Sequence, residues 1–251
     1  MSMTFALAIP ARMASTRFPG KPLATLGSKR VLEHVYESCK KSIYANNVYI
    51  LTDSSEISDF AKGINANCIM TSPQCQNGTE RIVEALDKIS EDFIINVQGD
   101  EPFIPSTLID SMIALRQKTN CDLITCASPI KNALELTNPN IVKVLKNSEG
   151  KVLYFSRSPL PFVRGEPDHS KWLQKTSFFR HIGIYGYSRN VLEKYGTFKS
   201  SALENCEMLE QLRFIDNGFE FSLIESNYES IGIDTPQDLE NATQLLKTKN
   251  F

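Results

Sequence analysis

Residues 9–23 read IPARMASTRFPGKPL and share Ile9 with the apolar run TFALAI at 4–9. The pattern is a buried strand that empties into a loop of Pro, Ala, Ser and Gly carrying three cations, Arg12, Arg17 and Lys21. Small residues let backbone N–H groups approach an anion and the cations neutralise it, so such a strand end suits a polyphosphate. Taken singly, each cation reads as a solvated surface charge; three in one strand-end loop point to an anion site. The segment contains neither G-x-x-x-x-G-K-[ST] nor G-x-G-x-x-G, which excludes a P-loop and a dinucleotide fingerprint.

Outward from this loop the first half of the chain alternates strand and helix patterns. Residues 31–42 read as a helix, with Val31, Val35 and Cys39 on one face. Residues 47–51 (NVYIL) read as a strand, and Ser54-Ser55-Glu56 as a helix start. A short strand follows at 67–70, a turn at 77–79, a helix at 80–90 and a buried strand at 93–97 (FIINV) that runs into QGDEP at 98–102. Strands alternating with helices predict an α/β fold with a mostly parallel, doubly wound sheet. Ligands of such sheets sit beyond the carboxyl ends of the strands. The loop at 10–21, the turn at 76–81 and QGDEP are therefore expected around one crevice.

The second half is less regular. Strands are expected at 122–127, 141–145, 152–155 and 181–187, and a last strand at 230–234. A helix is expected at 203–217 with Leu203, Met208, Leu209 and Leu212 as its apolar set. Thr235-Pro236 opens a final helix, with Thr as N-cap and Pro at N1. Residues 158–177, with three prolines and the single Trp172, read as a long exposed loop.

With 251 residues, one domain or one domain plus a subdomain is expected. The net charge of -2 has no long run of either sign, which argues against a general nucleic-acid binder. No run approaches the ~18 apolar residues of a membrane span, and the apolar N-terminus is too short for a signal peptide. The six cysteines include no C-x-x-C, so reduced thiols and a cytoplasmic location are expected.

Asp100, just past a buried strand, can reach a magnesium ion, which takes one or two carboxylates plus phosphate oxygens. Asp234 reads equally as a second ligand or as part of a helix cap. Arg81 reads either as a phosphate or base contact or as a surface partner of Glu80 or Glu84. Glu207, Glu210 and Arg213 share the expected 203–217 helix, where Glu210–Arg213 alone would be a surface pair. Together with Arg157 and His181 they would suit a polyhydroxylated, carboxylated ligand. Cys75 reads as an ordinary loop thiol.

These motifs, with NGTER at 77–81, NPNIVKV at 138–144, YFSRSPLP at 154–161, RHIGIYGY at 180–187, EMLEQLR at 207–213 and GIDTPQDLE at 232–240, resemble the 3-deoxy-manno-octulosonate (Kdo) cytidylyltransferases nearly end to end. The resemblance implies a Rossmann-like nucleotidyltransferase fold, a mixed and mostly parallel sheet flanked by helices. It implies a single domain over 1–251, with 151–200 as an inserted dimerisation and sugar-binding subdomain. The implied reaction joins CTP and Kdo to give CMP-Kdo and pyrophosphate, with Mg2+, for lipopolysaccharide biosynthesis. An 8-amino-Kdo acceptor is the nearest alternative, and a metal-dependent glycosyltransferase a more distant one.

By the same resemblance, Arg12, Lys21, Asp100 and Asp234 form the catalytic set, with Asp100 and Asp234 as metal ligands. Ala11, Arg12, Arg17, Lys21, Thr71, Asn77, Gly78, Arg81 and Gln98 meet CTP. Gln98, Arg157, His181, Tyr185, Glu210 and Gln211 line the sugar pocket. One departure is visible: many members carry H-x-S-G-T in the base loop, where this chain has Cys75 and Asn77. The Asn77 amide supplies a donor and an acceptor for a cytosine edge. A homodimer is implied, and Pro159, Pro161, Phe162 and Trp172 are the apolar residues expected at its contact.

Overall fold

In the computed structural model, residues 3–199 and 201–248 are described; Met1, Ser2, the three C-terminal residues and Ser200, the last residue of the 151–200 segment, lie outside them. Strand β1 (Phe5–Pro10) is buried from Phe5 to Ile9. Its side chains alternate between two cores: Phe5, Leu7 and Ile9 face one, and Ala6 and Ala8 the other. Such burial on both faces marks an interior parallel strand. The basic loop ends in a 3-10 turn (Lys21–Leu23), and a ribbon of β2 (Thr25–Leu26) and β3 (Lys29–Arg30) leads into α1 (Val31–Lys40).

The alternation continues through β4 (Asn47–Thr52), α2 (Ser55–Gly63), β5 (Asn67–Met70), α3 (Gly78–Glu84) and β6 (Phe93–Val97). Then come α4 (Ser106–Thr119), β7 (Leu123–Pro129), α5 (Leu134–Thr137), β8 (Lys143–Lys146), β9 (Val152–Ser156) and β10 (Phe179–Ser188). The chain closes with α6 (Arg189–Tyr195), α7 (Ala202–Glu207), α8 (Leu212–Asp216), β11 (Phe221–Glu225) and α9 (Pro236–Thr248).

The main sheet runs β11-β7-β10-β6-β1-β4-β5, with β8 pairing β10 and β9 pairing β8. Strands β5, β4, β1 and β6 are parallel, and so are β7 and β11. Strand β10 runs antiparallel between β6 and β7. Helices α1, α2 and α4 pack on one face through Val35, Ile57 and Met112; α3, α6 and α8 pack on the other through Ile82, Val191 and Leu212. The sheet is thus α/β, mixed and mostly parallel. The segment 151–200 is woven into it, because β9 and β10 are sheet strands and β10 lies near its centre.

Four expectations need correction. The helix expected at 80–90 starts at Gly78 because the Asn77 side chain caps it, accepting from Glu80 N at 2.8 Å; it ends at Glu84 and gives way to a 3-10 turn at Leu86–Lys88. The helix expected over 203–217 breaks at Met208, whose φ of 53° is left-handed, so Leu203 and Met208 are exposed while Leu209 and Leu212 are buried. Residues 230–234 form no strand; the last strand is β11, parallel to β7. Trp172 is 2% exposed, packed with Ile130, Leu136 and Phe178 and donating Nε1–H to Glu166 O at 2.8 Å, which leaves Phe162 as the exposed aromatic of that region.

Candidate active site

Strand β1 sits at the switch point of the parallel half, with β4 on one side and β6 on the other. The loops after β1, β5 and β6 therefore meet at one carboxyl edge. They line a cleft of about 770 Å³ that includes Ala11, Arg12, Arg17, Lys21, Asn77, Gly78, Arg81, Gln98, Asp100, Glu210 and Asp234. The turn after β6 lies against the end of β1: a Cβ on Gly99 would stand 2.8 Å from Pro10 O. Only glycine permits that approach, and it brings Asp100 beside the basic loop.

Lys21 joins the two expected metal ligands. Its Nζ lies 2.5 Å from Asp100 Oδ2 and 3.0 Å from Asp234 Oδ1, and Arg17 Nη2 lies 3.0 Å from Asp234 Oδ2. Burial opposes the Lys21 charge, but Asp100 and Asp234 outweigh it and hold the ammonium pKa above the ordinary lysine value. The capping alternative for Asp234 is resolved by its neighbours. Asp238 Oδ2 accepts from the N–H groups of Asp234 and Thr235, and Thr235 Oγ1 accepts from Asp238 N at 3.2 Å, which frees the Asp234 carboxylate to face the cleft. Arg12 is exposed on the same lip and makes no ion pair among the described residues.

On the opposite lip Arg81 is 2% exposed and pairs with neither Glu80 nor Glu84. Its Nη2 meets Asp53 Oδ2 at 3.2 Å, and its Nη1 donates to Thr71 Oγ1 and Ser72 O. Arg81 thus fastens the start of the 71–81 loop to the end of β4, and Thr71 is taken up in that contact rather than lining the cleft. Asn77 caps α3, so its Oδ1 faces Glu80 N. Cys75 Sγ donates to Glu84 Oε2 at 2.9 Å; burial, helped by Glu84, pushes the thiol up to about 11, consistent with an unreactive loop cysteine.

The sugar-pocket residues divide. Gln98 and Glu210 line the cleft; Arg157, His181, Tyr185 and Gln211 do not. Burial pushes the Glu210 carboxyl up to about 7, against hydrogen bonds from Thr79, and its Oε2 has no partner among the described residues. The expected Glu210–Arg213 pair is absent, because the break at Met208 turns Glu210 away; Arg213 instead meets Glu204 with two contacts of 2.7 Å. Arg157 donates to the carbonyls of Glu207 (2.7 Å), Pro139 (2.9 Å) and Met208 (3.4 Å), so it clamps the turn that delivers Glu210. His181 Nε2 bonds Thr125 Oγ1 at 2.8 Å, and burial pushes the imidazole down to about 3, so the ring is neutral. Tyr185, buried beside it, carries a phenol raised well above 10 by burial.

Two residues that sequence reasoning left unassigned complete the architecture. Asp53 closes β4 and receives Arg81. Glu101 is 9% exposed and accepts hydrogen bonds from Tyr228 and Ser230. Their positions directly after the strand β4 and after Asp100 were the available signal.

A cleft that gathers cations, paired carboxylates and a capped loop at the carboxyl edge of an α/β sheet has the make-up of a nucleotidyltransferase site. The chain matches the cytidylyltransferase family over residues 6–246. It is 43% identical to the 3-deoxy-manno-octulosonate cytidylyltransferase of Thermodesulfovibrio yellowstonii over 249 residues, 96% of this chain and 97% of that one. It is 40% identical to the enzyme of the same name from Geobacter sulfurreducens, over 98% of this chain and 100% of that one. The solved structure of a CMP:2-keto-3-deoxy-manno-octonic acid synthetase complexed with CTP aligns with a TM-score of 0.91 at 33% identity, covering 98% of this chain and 99% of that one. The chain belongs to the 3-deoxy-manno-octulosonate cytidylyltransferase family.

Proposed function

We propose that this chain transfers CMP from CTP to the anomeric hydroxyl of Kdo, releasing pyrophosphate and supplying CMP-Kdo for lipopolysaccharide assembly. The observation that carries this reading is the meeting of Lys21, Asp100 and Asp234 from three distant segments at one edge of the cleft, facing the 75–81 loop across it. The acceptor oxygen bonds to the α-phosphorus in line as the bond to the leaving pyrophosphate breaks, and the hydroxyl proton is released. Arg12, Arg17 and Lys21 hold the triphosphate and offset charge that builds on the α-phosphate and on pyrophosphate. The 71–81 loop, braced by Arg81, meets cytosine and ribose.

Gln98 and Glu210 orient the acceptor. His181 and Tyr185 belong to this end through β10, where a Cβ on Gly183 would stand 3.7 Å from the Gln98 side chain. Arg157 bears on it through the turn it clamps, and Gln211 through its place directly after Glu210. Magnesium fits the donor set of Asp100 and Asp234, two hard carboxylates, 27% and 43% exposed, at a place where phosphate oxygens complete the shell. When bound there it supplies Lewis-acid stabilisation of phosphate charge.

Two copies of the chain pair through exposed apolar side chains that include Phe162, 75% exposed, and Met208, 77% exposed; a monomer in light scattering at micromolar concentration would contradict the pairing. A cytoplasmic location agrees with the six free thiols and with the absence, among the described residues, of a helix long and apolar enough to cross a membrane.

The reaction is tested by pyrophosphate release from CTP and magnesium with Kdo, 8-amino-Kdo or a sialic acid as acceptor. Release with Kdo is expected. Release only with another acceptor moves the substrate assignment, and CTP binding without release for any acceptor rejects catalysis.

A further inference from the structure

Resting on the roles given to Asp100 and Asp234 above, we infer that Glu101 is a positioning residue that straps the 228–234 segment to the turn after β6 and thereby sets Asp234 beside Asp100. Between β11 and α9 the chain has no regular structure, so no sheet ladder fixes the residues that lead to Asp234; Asp234 itself also donates its N–H to Asp238 Oδ2 of α9 at 3.1 Å. Apart from the exposed Glu229–Lys131 ion pair and the contacts of Asp234 itself, three hydrogen bonds fasten the segment, all to the Asp100-Glu101 dipeptide. Tyr228 Oη donates to Glu101 Oε2 at 3.1 Å, Ser230 Oγ donates to Glu101 Oε1, and Ile233 N donates to Asp100 O at 2.9 Å. The strap lies flat on the carboxylate: a Cβ on Gly232 would stand 3.4 Å from Glu101 Oε1.

Apolar packing supplies the rest of the hold but not the direction. Ile231 and Ile233 join a small core with Phe18, Leu26, Phe103 and Ala242, which ties the strap to the basic loop, the turn after β6 and α9. Apolar contacts are non-directional; two hydrogen bonds to opposite oxygens of one buried carboxylate fix how the strap is rotated. Glu101 makes no ion pair among the described residues, so its carboxylate is held by these hydroxyls and not by a cation. A buried carboxylate without a cation is costly and persists where the hydrogen bonds serve a placement. The last residue of the strap, Asp234, is the one that meets Lys21 and Arg17.

The test is a double-mutant cycle in the full chain with Glu101→Ala, Asp234→Asn and the pair combined, together with Glu101→Gln, which keeps an acceptor oxygen. Three quantities are read: kcat and KM for CTP in pyrophosphate release, Mn2+ binding to the CTP-loaded protein by electron paramagnetic resonance, and the unfolding temperature. In the parent, Glu101→Ala is expected to lower kcat by on the order of 30-fold and to weaken Mn2+ binding about tenfold, with KM for CTP changed less than about threefold. Glu101→Gln should recover most of the loss. On the Asp234→Asn background, Glu101→Ala should cost less than about threefold more, because a residue that acts through Asp234 has nothing left to position.

Equal losses in the two backgrounds, or parent-like kcat and Mn2+ binding in Glu101→Ala, would overturn the inference. If Glu101→Ala does not fold, Tyr228→Phe combined with Ser230→Ala removes the same two hydrogen bonds and is read in the same cycle. A silent Asp234→Asn is a separate outcome, which rejects the role of Asp234 and takes the inference with it.

Discussion

Lys21 and Asp100 form an ion pair of 2.5 Å at the edge of the cleft, joining the loop after β1 to the turn after β6. The lysine side chain is 15% exposed and also reaches Asp234, so one ammonium neutralises both carboxylates proposed to hold magnesium. In the proposed reading, Asp100 and Asp234 would hold the divalent cation of a metal–triphosphate complex and Lys21 would turn to the phosphate oxygens.

Two results are expected from Lys21→Ala. Turnover should fall by about 10²–10³-fold, the usual cost of removing a charge that stabilises the transition state. Mn2+ binding to the nucleotide-free protein should tighten, because the competing ammonium is gone. Near-parent turnover would reject the phosphate role, and unchanged Mn2+ affinity would reject the exchange. Chelation of divalent cations should abolish pyrophosphate release, with recovery on adding magnesium.

The raised carboxyl of Glu210 has a definite sign in stability against pH. Its pKa moves from 4.5 to about 7 through burial, so the folded state holds the proton more tightly than the unfolded state. Over that window the native protein binds more protons, and stability falls as pH rises, by up to about 3 kcal/mol, then levels off above pH 7. Glu210→Gln removes the titration. Urea unfolding of both proteins at several pH values should show the variant gaining on the parent between pH 4.5 and 7; parallel curves would contradict the assignment.

Arg81 should behave as a brace rather than as a free phosphate-binding cation. Lysine cannot reach Asp53, Thr71 and Ser72 with a planar fork. Arg81→Lys should therefore raise KM for CTP about tenfold while kcat changes less than about threefold, the signature of lost uniform binding. A fall in kcat at unchanged KM would place the guanidinium on the reacting phosphates.

The approach of Gly99 to Pro10 O leaves no room for a methyl group. Gly99→Ala should cost about 1–3 kcal/mol in urea unfolding, since the added methyl meets a backbone carbonyl, which cannot yield as a flexible side chain does. It should also lower activity, because Asp100 rides on the displaced turn. An unfolding midpoint equal to the parent's would show that the two loops are not locked together.

The strands 5–10, 47–52, 67–70 and 93–97 were legible because interior parallel strands are short apolar runs bounded by turn residues. Their alternation with helices placed the three site loops on one edge, since βαβ connections have one hand. Other features depended on partners distant in the chain. The run around Met208 continues a helical pattern, and only the clamp of Arg157 on the Glu207 and Met208 carbonyls marks the left-handed break. Arg81 chose Asp53, 28 residues away, over Glu80 and Glu84 beside it, because its guanidinium is buried against the ends of β4 and β5, where Asp53, Thr71 and Ser72 meet it. Trp172 lies in a loop composition, yet the core of Ile130, Leu136 and Phe178 covers it.

By itself the sequence of this protein determined which residues form the central strands and which loops carry the charges of its cleft, because burial periodicity and turn chemistry are local. Which carboxylate meets which cation, where β10 enters the sheet and how Asp234 reaches Lys21 were decided by the tertiary structure alone, because those contacts join segments up to 213 residues apart and take their energy from burial that exists only once the sheet and its small cores have assembled.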